Sequence, residues 1–446
     1  MRLSFRYVVV FIMLLIGAAP ARAETLLDSV VSALDNNPAI AGIQDQVDAA
    51  DHGKKAEIAA YYPEVSASAT AGRIFQDNST SRGLVTERGA AYSGYGDGSV
   101  AMRQMLFDGL ETKNRVKAAD ARLKSKNYDL LETKEEIIFS VVSDYIEILR
   151  IRSALILLSE QFKTIEDYKS RIVTMVKEGV ADEAELQQAL DVSMVVDSVV
   201  ADYEGRLASV RASYYEATGR ESKGGFLVPP SVKVLIDNDI VKAVAVAKER
   251  HPMLMSVRMA SNAARHDMKV EQGKMYPDVS GELSYNKVDK KDVIGGQSRD
   301  ARAVIKMNWA FSTGGREFEE FRKKQSEHDA ASRKILEVER QVERRVYESY
   351  AIYRTMQRKK QLSADRVELN EKLVDAYRSQ FEGSRISLLS LMRAESQLFS
   401  AKLEYSDNRY NLLAAEYGVL ASTSRLKDNI LSAGAEVKGN LPAKGE

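Results

Sequence analysis

Four histidines, His52, His251, His266 and His328, are the side chains of this 446-residue chain best suited to metal ligation or proton transfer near neutral pH. They lack metal-ligand spacing, and His52 and His266 correspond to one another through the duplication described below. With no cysteine, the chain has no disulfide, thiolate metal site, cysteine nucleophile or lipidated N-terminal Cys. Gly94-x-Gly96-x-Gly98 has the look of a phosphate loop, but it precedes a strand pattern instead of opening a helix and reads as a loop. Asn78-Ser79-Thr80 is a formal glycosylation sequon in a polar loop. Neither paired catalytic carboxylates nor a nucleophile arrangement stands out, so no enzymatic activity, cofactor or metal is expected. A balance of 64 basic and 64 acidic residues excludes the basic excess of many nucleic-acid binders, and no nucleic acid is expected as partner. Arg322-Lys323-Lys324 and Arg358-Lys359-Lys360 read as solvated helix faces, with partner contact as the alternative.

The chemistry on offer is therefore mechanical, and it depends on long elements. Residues 1–23 read as a signal peptide: Arg2 and Arg6, an apolar run Tyr7 to Ile16 too short to span a bilayer, then Ala21-Arg22-Ala23 with cleavage before Glu24. An uncleaved anchor helix is the alternative. Beyond it, prolines cluster so as to leave two Pro-free runs, 64–228 and 278–441, of nearly equal length. A Pro inside a helix costs about 3 kcal/mol, so such runs can hold very long helices. Sliding the chain on itself by 214 positions aligns Pro38, His52, Lys55, Tyr62 and Pro63 with Pro252, His266, Lys269, Tyr276 and Pro277. At offset 205, Leu131, Glu132, Val141 and Tyr145 recur as Leu336, Glu337, Val346 and Tyr350. Two structural repeats follow, 24–228 and 229–426, meeting near Pro229-Pro230, with a flexible tail from 427 to 446.

Each repeat starts with a short helix (Leu26–Asn36; Ile240–Arg250) stopped before Pro, because the residue preceding Pro avoids the helical region. A second helix runs to Tyr62-Pro63 or Tyr276-Pro277. The period then changes to two, predicting strands at Val65–Phe75, Ser99–Phe107, Val279–Tyr285 and Ala301–Phe311, with polar loops Gln76–Gly98 and Asn286–Arg299. One face is apolar and the other mainly polar, as in a transmembrane barrel or a half-buried soluble sheet. Four strands cannot close a barrel, so either helices cover the sheet or several chains share it. The rest is helical. Leu110 to Lys177 and Glu317 to Glu382 contain neither Pro nor Gly, giving helices of about 100 Å at 1.5 Å per residue. Ile151, Leu158, Ile165 and Ile172 fall seven apart, as do Leu391, Leu398, Tyr405, Leu412 and Val419 on a return helix, which predicts coiled-coil packing. Gly179 and Gly383 suit the left-handed caps at the two hairpin tips.

From Glu24 to about Leu426 the chain resembles the outer-membrane efflux protein (TolC) family. The resemblance is carried by Leu34-x-x-Asn37-Pro38, Tyr62-Pro63, Leu106-Phe107-Asp108-Gly109, Phe311-Ser312-Thr313-Gly314-Gly315-Arg316, Glu178-Gly179 with Leu186-Gln187-Gln188-Ala189, and Gly383-Ser384-Arg385 with Ala394-Glu395 and Leu398. It implies a mainly α fold with a transmembrane β-barrel. Two repeats of long antiparallel coiled-coil hairpins carry two strands each, and a homotrimer forms a twelve-stranded barrel and a periplasmic α-helical tunnel. It also implies an outer-membrane location in a Gram-negative cell and contact with outer-membrane lipid. The implied partners are a periplasmic adaptor (membrane fusion) protein and an inner-membrane ABC or proton-driven transporter. In the family a basic residue just after the second-repeat Gly pairs with an acidic residue six past the first-repeat Gly, closing the periplasmic end. Here these are Arg385 and Glu185, with solvated tip charges as the plainer reading. Where relatives often place two acidic pore-facing residues, this chain has Ser390 and Arg393, which favours anionic over cationic cargo.

A passive export duct is the function these features support, against a non-transporting trimeric coiled-coil surface protein, which would concentrate its anchor at one terminus. The segment from Gly383 to Phe399 looks more like relatives serving type I protein secretion than those exporting drugs or metals.

Overall fold

A computed structural model describes residues 23–75, 92–221, 225–290, 296–310, 312–383 and 386–439. Of the expected leader, residues 1–22 lie outside these, as do the sequon at Asn78, Phe311 and the Ser384-Arg385 pair. The same series of elements occurs twice. The first is α1 Leu26–Asn36, α2 Pro38–Ala59, β1 Glu64–Phe75, β2 Tyr92–Phe107, α3 Glu111–Lys177 and α4 Glu183–Thr218. The second is α5 Ile240–Arg250, α6 Pro252–Gly273, β3 Asp278–Lys290, β4 Gln297–Asn308, α7 Arg316–Glu382 and α8 Leu388–Ser422. A further helix, α9 Leu426–Gly439, follows.

Local chemistry explains these boundaries. Thr25 and Asp28 form a reciprocal capping box that starts α1. Pro38 ends α1 at Asn37, whose Oδ1 then accepts from Ala39 N at 2.9 Å to start α2. Asp239 caps α5 through Val241 N at 2.9 Å, and Asp182 caps α4 through Glu185 N at 2.8 Å. Helices α3 and α7 are each 67 residues long, about 100 Å at 1.5 Å per residue.

The chain divides into two compact units. One comprises Met1–Gly42, Leu131–Pro252 and Glu339–Glu446; the other comprises Ile43–Leu130 and Met253–Val338. In the first, Ile151, Leu158, Ile165 and Ile172 of α3 are wholly buried against Ala189, Val196 and Tyr203 of α4 and Leu388, Leu389, Leu391 and Met392 of α8. The heptad of α8 drifts: Leu391, Leu398 and Val419 are buried, but Tyr405 and Leu412 only half so, with Tyr410, Tyr417 and Leu420 taking over the buried face. A straight helix turns 3.6 residues per turn, so a strict seven-residue stripe rotates out of register. The segments that enter the repeats are tied to tyrosines of the long helices. Tyr145 Oη donates to Glu24 O and Leu227 O, both at 2.7 Å, and Tyr214 Oη donates to Glu24 Oε1 at 2.7 Å. Tyr350, the repeat counterpart of Tyr145, donates to Asp237 O at 2.9 Å.

Three expectations need correction. Strand β2 begins at Tyr92 and β3 runs to Lys290, so much of the expected loops Gln76–Gly98 and Asn286–Arg299 is paired strand. Gly94, Gly96 and Gly98 sit inside β2, opposite Arg73, Ala71 and Ala69. Cross-strand hydrogen bonding holds these polar and Gly-rich ends despite their weak propensity. Strand β4 spans Gln297–Asn308, so Trp309 lies past its end. The expected flexible tail contains α9, because Leu426 and Ile430 bury against the cluster around Ile138 and Tyr417.

Candidate channel surfaces

The second unit holds one four-stranded antiparallel sheet in the order β1-β2-β3-β4. Its register sorts the side chains by face. Val65, Met102, Leu283 and Ala303 lie in one row, Ala67, Val100, Tyr285 and Ala301 in the next, and Gly281 faces Ile305. The opposite face carries Ser68, Ser99, Asn286 and Asp300 in one row and Ala101, Ser284 and Arg302 in another, with Arg103, Glu282 and Lys306 nearby. On that face Ser68 and Ser99 share a hydrogen bond of 2.8 Å, and Glu282 lies 3.7 Å from Arg103 and 3.9 Å from Lys306. The apolar face is open in one protomer: Ile305 is 77% exposed and Met307 64%. Side chains of that kind in water are unfavourable, whereas lipid outside and water inside a barrel satisfies both faces. Strands β1 and β4 are both edges, so each leaves a row of backbone groups for another strand. No described helix is long and apolar enough to cross a membrane.

Where the strands meet helices the sheet carries exposed aromatic side chains: Tyr61 and Tyr62 before β1, Phe107 closing β2, Tyr276 before β3 and Trp309 after β4. Trp309 Nε1 donates to Met275 O at 3.3 Å. Such amphipathic rings settle at a membrane–water boundary. In the sequence, Tyr62 and Tyr276 stand out only as helix-end markers; their position at a common sheet edge is visible only once the strands pair. Here too Gly109 is required. Its φ is +65°, and a Cβ on it would lie 2.2 Å from Gly273 O.

The hairpin tips lie in the first unit. At the first tip, Gly179 takes φ +73°, with Val180 N bonded to Met175 O at 2.8 Å and Gly179 N to Val176 O at 3.1 Å. This pair of bonds is the Schellman arrangement that ends a helix in a left-handed residue. At the second, Gly383 N donates to Ser379 O at 3.2 Å where α7 ends, and Ser387 caps α8 through Ser390 N. Glu185 sits half-buried in the first turn of α4. Arg385 lies outside the described residues, so the expected Glu185–Arg385 pair is not placed. Arg393 is exposed, and its Nη2 donates to Gln188 Oε1 at 2.7 Å. Ser390 is half-buried and shares a 3.1 Å hydrogen bond with Ser387. Further along, Glu395 accepts from Arg378 at 2.8 Å and from Tyr168 at 3.2 Å, joining α3, α7 and α8. Neither Gln188 nor Arg378 is a site residue in the sequence reading. Polar residues on exposed helix faces look alike until packing brings two together.

A cavity of about 650 Å³ in the same unit is lined by Phe139, Ile352 and Ala415 and bordered by Glu132, Glu135 and His251. Burial pushes the Glu135 carboxyl up to about 7, against a backbone hydrogen bond from Lys427 N, with Asp428 and Glu132 adding to the rise. Burial drives His251 down to about 4, with Arg345 contributing, so its ring is neutral beside Glu132.

A solved structure of CusC superposes with a TM-score of 0.79 at 14% identity, covering 90% of this chain and 92% of that one. The outer membrane channel CmeC of Campylobacter jejuni superposes with a TM-score of 0.79 at 12% identity, covering 93% and 89%. Among curated proteins, the outer membrane efflux protein BepC of Brucella suis biovar 1 (strain 1330) is 20% identical over 409 residues, 91% of this chain and 86% of that protein. The family model for outer membrane efflux proteins matches residues 30–220 and 243–425, one stretch per repeat. With both repeats matched and a two-faced sheet whose edges await other strands, the chain belongs to the outer membrane efflux protein family, passive homotrimeric outer-membrane channels that work with periplasmic adaptors and inner-membrane transporters.

Proposed function

We propose that this channel is the exit duct of a type I secretion system, passing protein cargo, and that Glu185 and Arg385 gate its periplasmic end between the Gly179 and Gly383 tip caps. The observation that carries the cargo reading is Arg393. Its exposed guanidinium is bonded to Gln188 at a tip position where the family resemblance expects an acidic, cation-attracting side chain. A basic tip does not enrich small cations, and it suits anionic cargo passing in extended form. Small-molecule efflux is the second reading, favoured by the description of the BepC relative as an efflux protein. Comparing secreted protein with drug and metal sensitivity in a deletion strain separates the two. Loss of one large extracellular protein with unchanged sensitivity supports secretion, and the reverse pattern overturns it.

The gate is supported by its chemistry. Exposed ion pairs contribute only about 0–1 kcal/mol each, so a ring of them can open when a partner binds. Arg385→Glu sets two carboxylates together and is expected to raise conductance in planar bilayers, with trimers intact because strand pairing and heptad packing use neither residue. Adding Glu185→Arg restores attraction with reversed polarity and brings conductance partway back. High salt narrows the differences, since the Debye length falls from about 8 Å at physiological ionic strength to about 3 Å at 1 M. Unchanged conductance in both single reversals rejects the gate and leaves the duct in place.

A further inference from the structure

At the end of the sheet where strands meet helices, a cavity of about 490 Å³ is lined by Phe107, Leu110, Lys113, Lys117, Lys269 and Tyr276. Phe107 pairs with Val279 and so belongs to the apolar, lipid-facing side of the sheet. Leu110 and Tyr276 are exposed beside it. Lys113 and Lys117 are one helical turn apart on α3, and Lys269 approaches from α6. All three are exposed, and among the described residues none of them is in an ion pair. Nearby carboxylates are already engaged: Glu111 with Arg115, Glu271 with Lys274 at 2.8 Å, and Asp267 with Arg122 at 2.5 Å. We propose that this cavity binds an anionic phospholipid of the periplasmic leaflet, its phosphate among Lys113, Lys117 and Lys269 and its acyl chains along Leu110, Phe107 and the apolar face of the sheet.

Three features support one occupant of this chemistry. The cations adjoin a surface that meets lipid, and basic pockets at a membrane boundary recognise phospholipid head groups. His266 lies buried at the back of the cavity, 3.1 Å from Asn114 Oδ1, and its basicity is lowered first by burial and then by Arg265, Lys269 and Lys117. The two repeats also differ in this respect. Lys55, the counterpart of Lys269, is neutralised by Asp51 at 2.7 Å. Where the first repeat has Asp51 the second has Arg265, so Lys269 keeps its charge for a ligand. The proposal needs only the outer-membrane channel, and it stands whichever cargo the duct carries.

Native mass spectrometry of the detergent-solubilised trimer tests it with dioleoylphosphatidylglycerol, dioleoylphosphatidylcholine and inorganic phosphate as probes. Expected is preferential retention of one phosphatidylglycerol per protomer, not displaced by millimolar phosphate. Lys117→Gln and Lys269→Gln should each weaken retention about fivefold, and the triple variant with Lys113→Gln about a hundredfold. The Lys→Arg triple variant should keep retention near that of the parent, and Lys359→Gln with Lys360→Gln should leave it unchanged. Equal retention of both lipids, lysine variants that retain phosphatidylglycerol normally, or displacement by phosphate alone would each overturn the assignment.

Discussion

Two glycines at matching places in the repeats show how much context decides at a single residue. Gly109 and Gly315 both precede a long helix with φ near +65° to +69°. A Cβ at Gly109 meets Gly273 O, whereas one at Gly315 meets nothing within 4 Å. Gly315→Ala is therefore expected to cost about 1 kcal/mol from backbone conformation, and Gly109→Ala about 2–4 kcal/mol once the collision is added. Heat resistance of the trimer on gels ranks the two. Glu135 supplies a pH signature. Its carboxyl rises to about 7 on folding from an ordinary 4.5, so the folded state holds a proton that the unfolded chain releases between those values. Its contribution to stability is then full below about 4.5 and is lost as pH rises through 7. Glu135→Gln should unfold at higher temperature than the parent above pH 7, and the two should converge in acid. His251 works the other way: buried neutral, it costs stability as pH falls from 6.5 toward 4, so the Glu135 variant must be compared at each pH with its parent.

At the level of elements, adjacent residues of β4 make the sharpest contrast. Ile305 lies opposite Gly281 on the apolar face, and Val304 opposite Glu282 on the polar one. Ile305→Arg places a charge against lipid and is expected to cost about 2–4 kcal/mol if it sits at mid-membrane, lowering trimer yield. Val304→Arg should assemble normally and shift conductance toward anions. Greater damage from Val304→Arg would mean that the faces have been assigned the wrong way round, and equal damage that the two faces do not meet lipid and water separately. The helices were more legible in sequence than the strands. Helices α1 and α5 match their expected bounds, because capping residues and following prolines mark each end locally. Strand β2 exceeds its expectation by seven residues, Tyr92 to Gly98, because glycines and polar residues have no strand signature of their own. Their pairing with β1 and β3 decides them.

For the whole molecule, assembly follows from unfinished edges. One protomer supplies four strands, and β1 and β4 each keep one unpaired edge, so closure without an edge requires strands from other copies, and the three protomers of the homotrimer supply twelve. Mass measurement in detergent should return three copies, and a stable folded monomer would be incompatible with a shared barrel. The sequence by itself determined the duplication, the lengths of the long helices, the hairpin tips at Gly179 and Gly383 and the alternation of the strands. Those signals are periodic or local, and a Pro, a Gly or a heptad acts on its immediate neighbours. Only the tertiary structure decided that Arg393 meets Gln188, that Leu426 and Ile430 bury in a helix, and that Lys113, Lys117 and Lys269 converge beside Phe107. Each of those contacts joins residues remote in sequence, and nothing in an exposed lysine or arginine foretells which helix will pack beside it.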